Sequence, residues 1–229
     1  MPHAFADQSD RPGYHDDRLE RAQRATDVDV GRCYRHGGRV LLDHPVPLLV
    51  MGFVVLTLVT AAWSFARIPI VGGPLGFAFG ALISTPLLWG FNYVCLQAVR
   101  GDGVDPRDGL RVYDRYFETV LAAALTTGLV IVGFLFLVVP GIYLLCRLAF
   151  VPYLVVEGRL SAVDAVFESF ERTAGYGWTI LGILVLRGIL LVLGGMTFGL
   201  ALVPGGVWSD LAMATLYHRA VSANPPPAT

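Results

Sequence analysis

The stretch from Val139 to Gly158, VPGIYLLCRLAFVPYLVVEG, decides how the chain is read. It is apolar enough for lipid, carries a proline near each end, and holds one arginine, Arg147, between them. The rest of the chain has the same character. Of 229 residues 55% are hydrophobic and 15% charged, with a mean hydropathy of +0.60. Soluble domains carry about 25% charged residues, so the composition predicts an integral membrane protein. All 17 basic residues are arginine, which reads as the signature of a GC-rich bacterial genome.

Outward from that stretch, six apolar segments are expected to form an all-α polytopic bundle, over residues 46–66, 75–99, 118–139, 141–157, 178–197 and 199–217. A helix needs about 20 residues to cross hydrocarbon about 30 Å thick. Residues 141–157 are short, and Pro204-Gly205-Gly206 interrupts 199–217, so five spans is the fallback. Residues 1–27 are polar and expected to be disordered, as is the tail 221–229. The start has no basic segment followed by an apolar core, so no cleaved signal peptide is expected.

Between 28 and 43 the residues Val30, Cys33, Tyr34, Gly37 and Leu41 recur at helical spacing. Arg32, Arg35 and Arg39 occupy other faces. That pattern predicts a basic amphipathic helix lying on the membrane surface, with these arginines meeting anionic lipid. A second amphipathic helix is expected over 161–175. Ser161 and Asp164 resemble a capping box, and Val163, Val166, Phe167, Phe170 and Ala174 form an apolar stripe expected to pack on the bundle.

Arginine positions orient the chain. With both termini cytoplasmic, fourteen arginines fall on the cytoplasmic side, Arg67 on the other, and Arg147 and Arg187 within the membrane. The expected location is therefore a bacterial inner membrane.

The run Pro140-Gly141-Ile142-Tyr143, Arg147, Pro152, Glu157, Ala165 with Ser169, and Gly175 with Trp178 resembles a broad group of prokaryotic multi-pass proteins. That group is similar to the membrane domain found with some glycerophosphoryl diester phosphodiesterases. The resemblance implies a six-helix membrane domain over roughly 28–220. The catalytic domain of those relatives is not recognisable here, so hydrolase activity is not implied.

Depth arithmetic at 1.5 Å per residue places Arg147 roughly 15 Å, and Arg187 and Asp210 roughly 13–14 Å, from the cytoplasmic helix ends. Asn92 and Gln97 belong to the same half. These five residues are the expected intramembrane polar cluster. A lone arginine at such depth costs about 3 kcal/mol on insertion scales, so it seeks a partner. Two readings compete. In one, Arg187 pairs with Asp210 and Arg147 bonds carbonyls freed near Pro140 or Pro152. In the other, a positive cavity takes an anionic head group.

Gly72, Gly76, Gly80 and Ser84 recur every four residues, and Gly195 and Gly199 repeat the spacing. Such rows let helices approach closely. Packing within one bundle is the plainer reading, ahead of contact with a second copy or another protein. Cys33, Cys95 and Cys146 lack metal-ligand spacing, and the five histidines lie in polar or boundary segments. No H-E-x-x-H, G-x-S-x-G or phosphate-binding loop is present. No cofactor, metal or nucleic acid is expected. The sequence therefore favours a non-enzymatic accessory or scaffold protein, with a binder or transporter of an anionic lipid or small anion as the alternative.

Overall fold

The computed structural model describes residues 29–65, 74–158, 160–196, 199 and 201–223. Every regular element among them is helical. In chain order these are α1 (Val30–Asp43), α2 (Pro45–Phe65), α3 (Pro74–Arg100), a 3₁₀ helix (Pro106–Arg115), α4 (Tyr116–Phe136) and α5 (Val138–Arg147). After them come α6 (Val151–Val156), α7 (Ala162–Arg172), α8 (Gly177–Met196) and α9 (Leu202–Ala223). Residues 1–27 and 224–229, with Arg67 and Gly72, lie outside the described residues, while the first three residues of the expected disordered tail 221–229 are helical and close α9.

Five stretches are long and apolar enough to cross a membrane: Pro45–Ser64, Leu82–Arg100, Pro106–Phe136, Val138–Val156 and Gly177–Met196. Their outward faces carry exposed Phe53, Val54, Ile131, Leu135, Val185 and Val192. An apolar belt of that extent is the surface of a protein solvated by lipid. The sixth expected segment falls below that apolarity although α9 is 22 residues long. The reason is its position. α9 touches α1, α2, α3 and α8, and Val207, Asp210, Leu211, Ala212, Leu216 and Tyr217 are buried on it. A helix walled in by others has no need of an apolar outer face. Pro204 does not interrupt it, because it falls in the first turn, where no intrahelical N–H bond is lost.

The helix ends show that α9 traverses the bundle. Its start lies against Gly194 near the end of α8. At its other end the Tyr217 hydroxyl donates to Glu157, just past α6, and Glu157 also pairs with Arg100 at the end of α3. The C-terminal ends of α3, α6 and α9 thus meet at one end of the bundle.

Three expectations about packing are corrected. The apolar stripe of α1 is not a lipid-facing surface. Cys33, Tyr34, Gly37 and Val40 are buried, and α1 packs on α9 and α8. A Cβ on Gly37 would stand 3.1 Å from the Ala212 nitrogen, so only glycine allows this approach without displacement. Arg32, Arg35 and Arg39 remain exposed on the opposite side. Burial pushes the Cys33 thiol up to about 11, with Arg219 opposing and Asp29 adding to the shift, as suits a packing residue.

The stripe of α7 is divided. Ala162, Ala165, Val166 and Ser169 face the bundle, while Val163 and Phe167 are exposed. The apolar arc is wider than the surface available to cover it. Close helix approach also falls elsewhere than the second glycine row suggested. Gly194, rather than Gly195, meets the Ala201–Leu202 backbone, while nothing approaches Gly195 within 4 Å. Of the first row, Ser84 is buried, and the surroundings of Gly76 and Gly80 lie outside the described residues.

Candidate functional site

The opening stretch folds as two short helices. Pro152 has no N–H to give, so the helical ladder fails before it, and the Val151 nitrogen turns to the Leu148 carbonyl at 3.2 Å. This leaves the main-chain carbonyl of Arg147 without its helical partner. Ser169 supplies one through its hydroxyl at 2.7 Å, and Thr173 adds a second at 3.3 Å. The Arg147 side chain turns the same way. Its guanidinium donates to the Phe170 carbonyl at 3.0 Å and to the Tyr143 hydroxyl at 3.0 Å, and lies 5.1 Å from the Tyr143 ring centre. The prolines do free a carbonyl here, but it is Arg147's own. The side chain instead closes the last turn of α7, where orphan carbonyls attract cations.

Arg147 is therefore separated from the other polar residues of the expected cluster. Arg187 on α8 forms an ion pair with Asp210 on α9. Among the described residues no other hydrogen bond or ion pair reaches the Asp210 carboxylate. Ser209 beside it accepts the Tyr34 hydroxyl at 3.1 Å and donates to the Gly205 carbonyl at 2.9 Å, so it is fully engaged. The Trp208 indole donates to the Tyr34 carbonyl at 2.8 Å, fixing α1 at the same level.

The pair forms part of the wall of two cavities. The first, of about 130 Å³, lies among α2, α3, α8 and α9, with Val55, Leu88, Phe91, Leu191 and Val207 on its sides. The second, of about 310 Å³, is an open pocket lined by α3, α4, the α5–α6 break, α8 and α9. Its lining is mostly apolar, including Trp89, Val130, Leu148 and Met213. Asn92 and Thr126 join Arg187 and Asp210 there as polar groups. The Thr126 hydroxyl is buried without a hydrogen-bond partner, and none engages the Asn92 amide among the described residues. Gln97 is not part of this site. Its amide nitrogen donates to the Tyr93 hydroxyl at 2.7 Å, and its carbonyl oxygen is buried without a partner.

Sequence reasoning did not find Thr126, which looks like any helical threonine, nor the polar network around Glu157. The Arg100 guanidinium and the Tyr217 hydroxyl reach Glu157 across 57 and 60 residues, and Tyr217 stacks on Tyr153 with ring centres 4.8 Å apart. The only sequence signal was Glu157's place in the run that carries the family resemblance. Among the described residues no group of His, Cys, Asp and Glu is arranged to hold a metal ion.

A mostly apolar chamber with a few convergent polar groups, bordered by an ion pair, can accept an apolar tail and orient a polar head. Compared with family models, with curated proteins and with solved structures, the chain finds no match.

Proposed function

We propose that this chain is a non-enzymatic multi-pass protein of a bacterial inner membrane that holds a lipid-like amphiphile in the cavity beside Arg187 and Asp210. The observation that carries this reading is the cavity of about 310 Å³, with apolar walls and the polar groups of Asn92, Thr126, Arg187 and Asp210 converging on it. Its volume lies at the lower end of the range for small-molecule sites, about 300–1,000 Å³. Of the two roles read from the sequence, scaffold and binder, the cavity favours the binder. The net charge of the pair is zero, which argues against a permanently positive anion trap.

The arginine asymmetry of the sequence, fourteen against one, supports placing both termini, and with them the end of the bundle where Glu157 meets Arg100 and Tyr217, in the cytoplasm. Phe117, Phe167 and Trp178 are exposed near that end, as expected of an aromatic belt at a membrane interface. The cytoplasmic arginines Arg32, Arg35 and Arg39 then meet anionic head groups.

Native mass spectrometry of the purified protein tests the reading. Wild type should retain an amphiphile that Ala149→Phe, which fills the cavity, releases. Arg147→Gln should retain it, because Arg147 lines neither cavity. Equal retention by wild type and by a folded Ala149→Phe protein would place any bound lipid elsewhere and overturn the proposal.

A further inference from the structure

The ion pair has a property that a purely structural bridge between α8 and α9 does not need: it borders both cavities at once. The Arg187 side chain keeps 36% of its surface exposed while Asp210 keeps 12%, so the cation is the accessible partner. We propose that the pair is a proton-coupled receptor for the acid head of a singly charged amphiphile, in which the incoming anion takes Arg187 and Asp210 takes up one proton. This rests on the reading of the cavity as an amphiphile site and names the class of ligand and the event that accompanies binding.

The coupling follows from charge. Arg187 and Asp210 together are neutral. An anion that joined the intact pair would leave a net negative charge in a low-dielectric chamber. An anion that displaced Asp210 from Arg187 would strand a buried carboxylate. Among the described residues Asp210 receives no donor other than Arg187, and the nearby hydroxyls of Tyr34 and Ser209 are already committed to Ser209 and Gly205. Isolated buried charges in proteins neutralise themselves by gaining or losing a proton. The balanced exchange is anion plus proton plus the Arg187–Asp210 pair, giving an Arg187–anion pair beside a neutral Asp210 carboxylic acid. Total charge in the site is zero before and after.

The other groups facing Asp210 do not replace that proton. From α1 comes Tyr34, from α3 Cys95 and from α6 Tyr153; each interacts electrostatically with Asp210 and all are neutral at physiological pH. The α2 helix carries no titratable side chain. The freed carboxylic acid becomes a hydrogen-bond donor, and the unpartnered amide of Asn92 lines the same chamber as an acceptor for it or a donor to the ligand.

The test is titration calorimetry of the full chain in a nonionic detergent, with decane-1-sulfonate as the probe. The sulfonate is charged at every working pH, so any proton taken up belongs to the protein. Comparing buffers of different ionisation enthalpy between pH 6 and 8 should give one proton absorbed per ligand. Apparent affinity should fall about tenfold for each unit rise in pH, as one linked proton requires. Asp210→Asn should bind with no proton uptake and no pH dependence, and Arg187→Gln should not bind. The wild-type proton count stands even if a variant fails to fold. Sulfonate binding without proton uptake, or binding of the neutral probe decan-1-ol but not of the sulfonate, overturns the coupling while leaving an amphiphile site. Binding of neither probe overturns the underlying reading as well.

Discussion

Glu118 and Arg147 hold opposite ends of α7. The Glu118 carboxylate accepts the Ala162 N–H at 2.9 Å, and the Arg147 guanidinium donates to the Phe170 carbonyl at 3.0 Å. Each charge meets the helix end of opposite partial charge, so the two bonds and the macrodipole act together. An 11-residue helix has too few internal bonds to persist alone, and this pair of contacts supplies what propensity does not.

Removing one of them should loosen α7 without disturbing the cavity. Arg147→Met is expected to cost about 1–2 kcal/mol of local stability, from one charge-assisted bond and its dipole term. Hydrogen exchange would report this as roughly tenfold faster exchange of the α7 amides, since about 1.4 kcal/mol is a factor of ten. Unchanged exchange there would show that α7 is held by its buried face alone.

A second prediction concerns Gly90 on α3. A Cβ at this position would clash with the Gly109 carbonyl oxygen, a backbone atom that cannot rotate away. Gly90→Ala should therefore push the 3₁₀ helix off α3 and lower stability by about 1–3 kcal/mol, the range for overpacked sites. Gly128→Ala is the control. Nothing lies within 4 Å of a Cβ there, so the change should be neutral or stabilising by up to about 1 kcal/mol through backbone entropy. Equal unfolding midpoints for the two variants would contradict the close approach.

How far the sequence could be read depended on whether a residue's partner was itself distinctive. Asp210 is the one carboxylate in the interior of the expected apolar segments, with Glu118 and Glu157 standing at segment ends, so its pairing with Arg187 could be anticipated. Arg147's partner beyond its own helix is the Phe170 carbonyl, and a main-chain oxygen leaves no mark on a sequence. The sixth helix was visible by length, but Pro204 and a low hydropathy concealed it, because hydropathy reports lipid exposure and α9 is shielded by its neighbours. Similarly, a stripe of apolar residues says that a face is buried without saying in what. The stripe of α1 turned out to meet protein, and half of the stripe of α7 does not.

The Glu157 network should contribute to stability through Tyr217. Tyr217→Phe removes one hydrogen bond to a carboxylate, made at 2.9 Å, and keeps the stack on Tyr153. A loss of about 1–2 kcal/mol is expected. Glu157→Ala should cost more, because Arg100 and Tyr217 both lose their partner. Thermal unfolding in one detergent would rank the two. A smaller loss for Glu157→Ala than for Tyr217→Phe would mean that Arg100 finds water readily once released.

Stability should also depend on pH through His36, on the polar side of α1. Burial lowers its pKa, and the nearby guanidinium groups of Arg219 and then Arg39 lower it further. The folded protein thus binds a proton less readily at His36 than the unfolded chain, whose imidazole titrates near an ordinary value of about 6.5. Above that value both states are neutral and the contribution is fully present. As pH falls through it the unfolded state gains its proton first, and stability declines until the folded value is passed. His36→Gln, which cannot be protonated, should therefore flatten the decline between pH 7 and pH 5 in denaturant unfolding. If wild type and variant lose stability in parallel over that interval, the pH response comes from other groups and α1 keeps its place on α9 whatever the charge of His36.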